Sequence, residues 1–298
     1  HMQEPLSEPL IRVEEPQQEI ITLKEASDKA GTSGYYQYRT IAFFCLKRMV
    51  YGFFLMGFPY FFKIPDFECS ATGEAPWTPC KADADGCKLH IRPVAGSPQN
   101  LVTEFGLYCD DAEVPAYAES LFMFANMVGI LFISPIADIV GRKFTLILCI
   151  CLVIAGLSLG TLSMNIYVFL VFFSVIGMGF GPYVPTTYLY LNEFCGENLR
   201  QRGSAYMNFV RTLGQLVVGG LSALINDNWR IFFLGYVATP FAVSLPLMAK
   251  WLYESPKLLI SHKKFDEAKE VVQKIAKDNK KVLPAFKFEE EIAFEKKA

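Results

Sequence analysis

The chain has 298 residues, of which 52% are hydrophobic and 19% are charged, and its net charge is −2. A soluble domain usually carries about 25% charged residues, so this composition favours a membrane protein over a soluble enzyme. The balanced charge, without a basic stripe that alternates with aromatic residues, argues against a nucleic-acid-binding protein. Residues 1–40 contain no apolar core of a cleavable signal peptide, so we expect the first spanning helix to act as its own insertion signal.

Residues 1–39 are polar and rich in Glu, Gln and Pro, a composition that predicts a disordered cytosolic tail. Six apolar stretches follow, and each is close to the roughly 20 residues that a helix needs to cross a bilayer. These predicted spans are Ile41–Phe62, Ala116–Ala137, Phe144–Leu162, Ile166–Leu191, Gly203–Ile225 and Ile231–Leu252. The sequence therefore predicts an all-α integral membrane protein built on a six-helix transmembrane bundle. The predicted units are a transmembrane helix at 40–62, an outer loop at 63–115, five further helices within 116–252 and a cytosolic tail at 253–298.

The distribution of basic residues predicts how this bundle is oriented. The links after the second and fourth spans are short and basic, with Arg142 and Lys143 in one and Arg200 and Arg202 in the other. The links after the third and fifth spans carry Arg230 alone. Because basic residues favour the cytosolic side, both termini are expected in the cytosol, and the long loop after the first span is expected outside.

The tail after the last span contains one repeating apolar pattern. Phe265, Ala268, Val272 and Ile275 recur at helical spacing, which predicts an amphipathic helix. This helix either lies on the membrane surface or caps the cytosolic ends of the spans. We favour the cap, because its polar face mixes acidic residues with lysines, whereas a helix that binds anionic lipid is more purely basic.

The eight cysteines form two groups. The outer loop contains Cys69, Cys80, Cys87 and Cys109, whereas the other four lie in or beside the spans. Four clustered cysteines on the far side of a membrane predict two disulfides, with three possible pairings. A metal site at Cys87 and His90 is the alternative, but the irregular spacing of the remaining cysteines disfavours it, and no metal is expected.

A tight charged link separates the second and third spans. It reads Asp138-Ile139-Val140-Gly141-Arg142-Lys143. So short a link forces the two spans into an antiparallel hairpin. Asp138 can pair with Arg142 or cap a helix end, while Arg142 and Lys143 resist crossing the bilayer and so fix its orientation.

The link after the fourth span has a similar mixture of acidic and basic residues. Glu193 is expected to form salt bridges with Arg200 and Arg202 across this link. Both links can be interpreted as a gate that holds one arrangement of the helices, or simply as signals of topology. The residues of this candidate motif are Asp138, Gly141, Arg142, Lys143, Glu193, Arg200 and Arg202.

Two cations lie within the first predicted span, where charged residues usually face a cavity or a partner. One helical face of this span contains Phe44, Lys47, Tyr51, Phe54 and Phe58. This face predicts an aromatic path with a cation in it, which suits an organic anion. Alternatively, Lys47 and Arg48 extend back to the cytosolic surface along their aliphatic stems.

The fifth span carries a polar stripe at three- and four-residue steps. The stripe contains Asn208, Arg211, Thr212, Gln215 and Gly219. It either lines a substrate path or packs against another helix through hydrogen bonds. The substrate-path candidates in the whole chain are Lys47, Tyr51, Asn126, Tyr183, Arg211 and Gln215. No catalytic constellation can be assembled from the sequence, so neither an enzyme activity nor a cofactor is expected.

Several motifs, taken together, resemble one known family. Besides the charged link after the second span, they are Pro65–Cys69, Leu101–Asp111 (which reads Leu-Val-Thr-Glu-Phe-Gly-Leu-Tyr-Cys-Asp-Asp), Asn192–Phe194, Trp251–Leu259 and Lys264–Ala268. In this combination the chain resembles the organic cation/anion transporter branch of the major facilitator superfamily, over about residues 34–280.

The resemblance implies a function, which is transport of small organic cations, anions or zwitterions by alternating access between two six-helix halves. This chain corresponds to the N-terminal half. The second half is expected on the same parent chain or on a partner subunit, such as a second copy. In that family the charged link after the second span latches the outward-facing state. Lys47 and Arg211 tilt the expected substrate towards anions, and the expected location is the plasma membrane, with membrane lipid as the other partner.

Departures from the family pattern support an alternative hypothesis. Ser134 stands where the first Gly of the motif is usual, Phe173 stands where an Arg is common in the fourth span, and the second half is missing. These departures favour a degenerate half-transporter that serves as a structural subunit of a membrane complex. A transporter needs a water-filled cavity that reaches Lys47 or Arg211, whereas a structural subunit should have both residues paired with a neighbour.

Overall fold

The computed structural model describes residues 19–82, 86–97, 99–222 and 228–295. The helices are α1 (Leu23–Ala30), α2 (Tyr35–Phe61), α3 (Leu101–Phe105), α4 (Val114–Ile133), α5 (Ile136–Ile139), α6 (Arg142–Thr161), α7 (Ile166–Phe194), α8 (Glu197–Ser222), α9 (Trp229–Ile231), α10 (Thr239–Trp251), α11 (Pro256–Ser261), α12 (Phe265–Asp278) and α13 (Glu289–Glu295). The strands are β1 (Glu19–Ile21), β2 (Phe67–Ser70), β3 (Thr78–Cys80), β4 (His90–Pro93) and β5 (Phe286–Phe288). A π-helical segment, Phe232–Ala238, joins α9 to α10.

Within the described residues, five helical segments are long and apolar enough to cross a membrane. They are Tyr35–Gly57, Cys109–Ile139, Arg142–Thr161, Ile166–Phe194 and Trp229–Trp251. The predicted fifth span coincides with α8 as far as Ser222, and α8 is less apolar because it carries three arginines and the polar stripe. Residues 223–225 of that predicted span lie outside the described residues.

Glycines allow three pairs of helices to pack with their backbones in contact. A Cβ atom on Gly52 of α2 would lie 2.3 Å from the Arg211 carbonyl oxygen of α8. A Cβ atom on Gly129 of α4 would lie 2.4 Å from the Met178 carbonyl oxygen of α7, and one on Gly179 of α7 would lie 2.7 Å from a backbone oxygen of α6. Since helix association in lipid depends on close packing rather than on the hydrophobic effect, these glycines help to decide which helices are neighbours.

Phenylalanine rings fill the centre of the bundle. Phe54 of α2 lies 5.6, 5.1 and 5.7 Å, centroid to centroid, from the rings of Phe122, Phe180 and Phe233. Phe173 of α7 is fully buried and lies 5.3 Å from Phe122. The position at which the resembled family commonly has an arginine is therefore part of the aromatic core, which has no room for an unpaired charge.

The chain before the first span packs against the chain after the last one. β1 pairs in parallel with β5, and α1 contacts α12. Ile21, Ala26 and Ala30 are buried in the same apolar core as Val272 and Phe286. We call this unit, residues 19–31 with 265–295, the terminal cap. Contrary to the prediction of a disordered tail over residues 1–39, residues 19–39 are ordered because this apolar contact stabilises them, and residues 1–18 lie outside the described residues.

Asn279 links the terminal cap to the start of α2. Its Nδ2 donates to the carbonyl oxygens of Ala30 and Gly31, both at 3.0 Å, and to Gln37 Oε1 at 3.2 Å. Its Oδ1 accepts from the Tyr36 backbone N–H at 2.9 Å. One amide side chain thus uses both its donor and its acceptor to hold α12, α1 and α2 together. The predicted amphipathic helix is α12, which buries Ala268, Val272, Ile275 and Ala276.

The outer loop contains a three-stranded antiparallel sheet in the order β3-β2-β4. A disulfide between Cys69 and Cys80 joins β2 to β3, and a second one between Cys87 and Cys109 ties the loop to the start of the second span. This is one of the three pairings that the sequence left open. Because the Cys87 sulfur is used in a disulfide, Cys87 and His90 do not form the alternative metal site.

An ion pair whose two side chains are about one third exposed anchors the same loop to the helices. The Trp229 indole N–H donates to Glu104 Oε2 at 2.6 Å, and the Arg230 guanidinium binds the Glu104 carboxylate. Arg230 also donates to the carbonyl oxygens of Thr161, the last residue of α6, and of Ser163, two residues beyond it. Desolvation opposes the ionisation of Glu104, but the hydrogen bonds from Arg230 and Trp229, with the charge of Arg230, outweigh it and hold the pKa of this carboxyl below its ordinary value.

The stability that Glu104 contributes should therefore depend on pH. A carboxyl whose pKa is lower in the folded state stabilises the fold above its unfolded pKa, and that contribution is lost as the pH falls through the folded pKa. We expect Glu104→Gln to lower the melting temperature at about pH 6, and to lower it less near pH 3, because the contribution of Glu104 shrinks as the pH falls towards its lowered folded-state pKa. Glu74→Gln, which changes an exposed carboxylate in the same loop, is the control. An equal effect of Glu104→Gln at both pH values would contradict this assignment.

Candidate functional site

The charged link between α5 and α6 is built around a glycine. Gly141 has a φ of +141°, a conformation that side-chain-bearing residues rarely adopt. A Cβ atom there would lie 2.4 Å from Glu254 Oε2. The space allows the Glu254 carboxylate to accept from the backbone N–H groups of Arg142 at 2.8 Å and Lys143 at 3.4 Å. Glu254 thus caps the N-terminus of α6, where a negative charge is favoured by the helix dipole.

The Arg142 side chain lies at the centre of a buried ionic network. Its guanidinium binds Glu193 Oε1 at 2.9 Å, Asp138 Oδ1 at 3.0 Å and the Ala137 carbonyl oxygen at 2.8 Å. The side chains of Arg142 and Glu193 are only 9% and 7% exposed, whereas Asp138 is 67% exposed. We call Asp138, Arg142, Glu193 and Glu254 the Arg142 network. It joins the ends of α5, α6 and α7 to the segment that follows α10.

Glu193 has a different partner from the one that the sequence predicted. It binds Arg142, and within the described part of the chain neither Arg200 nor Arg202 forms an ion pair. α7 continues to Phe194, so Glu193 faces the α5–α6 link, whereas Arg202 lies on the exposed side of α8. The Lys143 side chain is also outside the network, because its Nζ donates to the Ala249 carbonyl oxygen at 2.7 Å.

A cluster of tyrosines lies close to the Arg142 network. The hydroxyl groups of Tyr36 and Tyr190 are 2.7 Å apart, and the Tyr190 hydroxyl donates to the Tyr253 carbonyl oxygen at 2.8 Å. The Tyr36 ring stacks on the Tyr253 ring with a centroid distance of 5.2 Å. These contacts join α2 and α7 to the residue before Glu254. The sequence alone could not predict this pairing, because Tyr36 and Tyr190 are 154 positions apart in the chain.

Polar side chains also meet where α2, α7 and α8 come together. Arg211 and Tyr51 are near each other because Gly52 lets α8 approach α2. The Tyr188 hydroxyl donates to Asn208 Oδ1 at 3.0 Å. We call the surface formed by Tyr51, Tyr188, Asn208, Arg211, Thr212 and Gln215 the polar face; its residues are half-buried or exposed.

Arg48 lies beneath this polar face. It is 2% exposed, and its guanidinium lies 4.9 Å from the centroid of the Tyr188 ring and 6.0 Å from that of Tyr51. Among the described residues no carboxylate pairs with Arg48, and both its Nε and the Tyr183 hydroxyl are buried without a hydrogen-bond partner.

The other substrate-path candidates do not all join this group. Lys47 is 4% exposed and its Nζ contacts the Met248 sulfur and lies 4.8 Å from the centroid of the Phe43 ring, so it points towards α10 and away from the polar face. Asn126 of α4 donates to the Phe122 carbonyl oxygen of its own helix at 3.0 Å. Tyr51, Arg211 and Gln215 lie on the neighbouring helices α2 and α8, Tyr183 is buried in α7, and Arg48 rather than Lys47 lies beside the Tyr51 ring.

Comparison with known proteins identifies the family. Residues 95–298 match the family described as sugar (and other) transporter. The chain is 30% identical over 190 residues to solute carrier family 22 member 2 of Rattus norvegicus, covering 62% of this chain and 33% of that protein. It is 25% identical over 262 residues to organic cation/carnitine transporter 4 of Arabidopsis thaliana, covering 86% and 48%.

A solved structure supports the same fold. The xylose transporter XylE from E. coli, in a partially occluded inward-open conformation, matches with a TM-score of 0.57 and 16% identity over 82% of this chain and 56% of that one. The chain spans between a third and a half of the length of these two curated relatives. These matches confirm the resemblance to organic cation/anion transporters and the mostly helical major facilitator architecture. The chain is an integral membrane protein that belongs to the sugar (and other) transporter family.

Proposed function

We propose that the protein moves small organic ions across a membrane by alternating access, with this chain as its first six-helix half. The substrate is a cation, an anion or a zwitterion, in keeping with the name of the organic cation/carnitine transporter among its relatives. The second half belongs to the same parent chain or to a partner subunit. The observation that carries the proposal is the Arg142 network, a buried set of charges at the shared end of helices that would have to separate or slide during transport.

The chemistry of the network suits a gate with two discrete states. An ion pair in a poorly solvated position is stable when its partners are assembled, but a half-broken pair leaves a buried charge and is costly. The network is therefore either closed or fully hydrated, and an intermediate arrangement is disfavoured. In the closed state the ion pair between Arg142 and Glu193 holds the start of α6 against the end of α7, and Glu254 holds it against the segment that follows α10. Lys143, Arg200 and Arg202 lie at the same end of the bundle and fix its orientation.

The remaining candidates define a path through the bundle. We assign Tyr51, Tyr183, Arg211 and Gln215 to its lining, with Asn126 on the α4 side. The oxidised outer loop faces outside the cell, the terminal cap and both termini lie in the cytosol, and the membrane is the plasma membrane. Basic links on the side of the terminal cap support this orientation.

The test is uptake by the full-length native protein in liposomes. The probes are tetraethylammonium, glycine betaine and benzenesulfonate, which represent the three classes of organic ion. We expect at least one probe to accumulate and Glu193→Gln to lower its initial rate about tenfold or more, since the closed state would lose roughly 1.4 kcal/mol or more. Glu197→Gln, an exposed carboxylate four residues further on, is the matched control and should leave the rate unchanged.

A lack of uptake for all three probes would contradict the proposal and favour the structural-subunit hypothesis. Equal uptake rates for Glu193→Gln and Glu197→Gln would leave transport standing but would contradict a gating role of the Arg142 network.

A further inference from the structure

A cavity of about 440 Å³ lies in the outer loop, apart from the Arg142 network and the polar face. Three segments form its walls: the link between α2 and β2, the residues that follow β3, and the link between α3 and α4. The disulfide between Cys69 and Cys80 joins β2 to β3, and so connects two of these walls covalently. The volume is within the range of small-molecule sites, and the cavity is therefore large enough for a ligand.

Two opposite charges line this cavity without using each other. Asp66 and Lys81 both border it, and within the described part of the chain neither side chain has an ion pair or a hydrogen bond. Much of the remaining lining is apolar, including Phe67 and Leu107, which are buried. The Tyr108 ring is half-buried and lies 5.1 Å, centroid to centroid, from that of Phe67. This combination suits a zwitterion with a quaternary ammonium group, which an aromatic face and a carboxylate both attract.

The cavity also lies where two spans leave the membrane. Ile64, three residues beyond the end of α2, and Pro115, the second residue of α4, both line it. A helix rises 1.5 Å per residue, and the headgroup region extends about 5–7 Å beyond the hydrocarbon core on each side, so both residues are at headgroup depth. Ile64 is 67% exposed, and Tyr117, in the first turn of α4, is 61% exposed. Exposed apolar and tyrosine side chains at a span end are typical of a surface that contacts lipid.

We infer that this cavity binds the phosphocholine headgroup of a phospholipid in the leaflet on the side of the outer loop. The trimethylammonium group meets Asp66 and the Tyr108 ring, the phosphate meets Lys81, and the acyl chains leave past Ile64 into the bilayer. One headgroup thus supplies both of the countercharges that the cavity lacks, whereas an anionic headgroup without an ammonium group leaves Asp66 unpaired. The inference goes beyond the proposed function and does not depend on transport.

The test is competitive lipid binding to delipidated full-length native protein in a mild detergent. The protein is titrated with equal amounts of palmitoyl-oleoyl phosphatidylcholine and phosphatidylglycerol, and native mass spectrometry identifies the first lipid bound. Wild-type protein should prefer phosphatidylcholine. Asp66→Asn and Lys81→Gln should each weaken its binding about two- to fivefold, as expected for exposed charge pairs. Glu74→Gln and Lys63→Gln remove the same charges from exposed positions in this loop that do not line the cavity, and should leave the preference unchanged.

Melting temperatures show whether the variants fold. Equal binding of the two lipids by wild-type protein would overturn the inference, and so would unchanged phosphatidylcholine binding in folded Asp66→Asn and Lys81→Gln. An equal loss in Lys63→Gln and Lys81→Gln would indicate a general attraction to lipid and would also contradict a specific site. Free phosphocholine distinguishes the two sources of this chemistry. It should not displace the lipid at matched concentration, and displacement would identify a site for a soluble zwitterion and overturn the lipid assignment.

Discussion

Arg142→Gln should lower the free energy of unfolding by about 3–5 kcal/mol, the usual cost of removing one partner of a buried ion pair. Glu193 would then be left 7% exposed without a cation, and Asp138 would lose its partner. Thermal or denaturant unfolding in a mild detergent measures the effect. Arg202→Gln is the control, because Arg202 is exposed and forms no ion pair within the described part of the chain; a change of at most about 0.5 kcal/mol is expected there.

A double-mutant cycle makes the prediction sharper. Once Arg142 is neutral, Glu193→Gln should cost much less than it does in the wild-type background, because residues in one network are strongly non-additive. Additive effects of Arg142→Gln and Glu193→Gln would mean that the two side chains do not act on each other, and the gate would have to be sought elsewhere.

Gly52→Ala should destabilise the protein by about 1–3 kcal/mol, the usual cost of overpacking. The added Cβ would lie 2.3 Å from the Arg211 carbonyl oxygen, which is backbone and cannot rotate away. The loss is expected although alanine is the better helix former by about 1 kcal/mol. Gly220→Ala in α8 is the matched control: none of the described residues lies within 4 Å of its Cβ position, so helix propensity should make that variant neutral or slightly more stable.

Gly52→Ala should also affect the polar face, because α8 must move away from α2 to accept the methyl group. Arg211 would then shift relative to Tyr51. Disulfide trapping between cysteines introduced at these two positions, with and without the alanine, reports this separation. A wild-type melting temperature for Gly52→Ala would show that the α2–α8 contact is looser than the structure has it.

The sequence predicted the features that depend on neighbouring residues or on simple length. The apolar stretches, the tight link at Asp138–Lys143 and the clustered outer cysteines belong to this class. Gly141 was singled out as part of the link, and its positive φ explains why the link tolerates no larger residue. Phe173, noted as a departure from the family, is explained by an aromatic core into which an arginine would not fit.

Features that depend on packing could not be predicted in the same way. Lys47 and Arg48 are adjacent in sequence, and adjacent residues point about 100° apart on a helix. Which of the two meets the polar face is decided by where α8 and α10 pack around α2. The partner of Glu193 was missed for a similar reason. Arg142 is at the start of α6 and Glu193 is near the end of α7, and only packing brings these two helix ends together. The order of residues 19–31 was missed because this segment is polar in composition. Only its contacts with α12 and β5 make β1 and α1 stable.

The terminal cap also sets an order of events during synthesis. Tyr36 and Asn279 are 243 positions apart, so at about 5–20 residues per second the ribosome needs about 12–50 s after Tyr36 to supply the side chain that joins α12 to the start of α2. Throughout that interval every described membrane helix is made, while Ile21, Ala26 and Ala30 have no apolar surface to cover them. Closure of the cap consequently follows the synthesis of every described membrane helix of this chain.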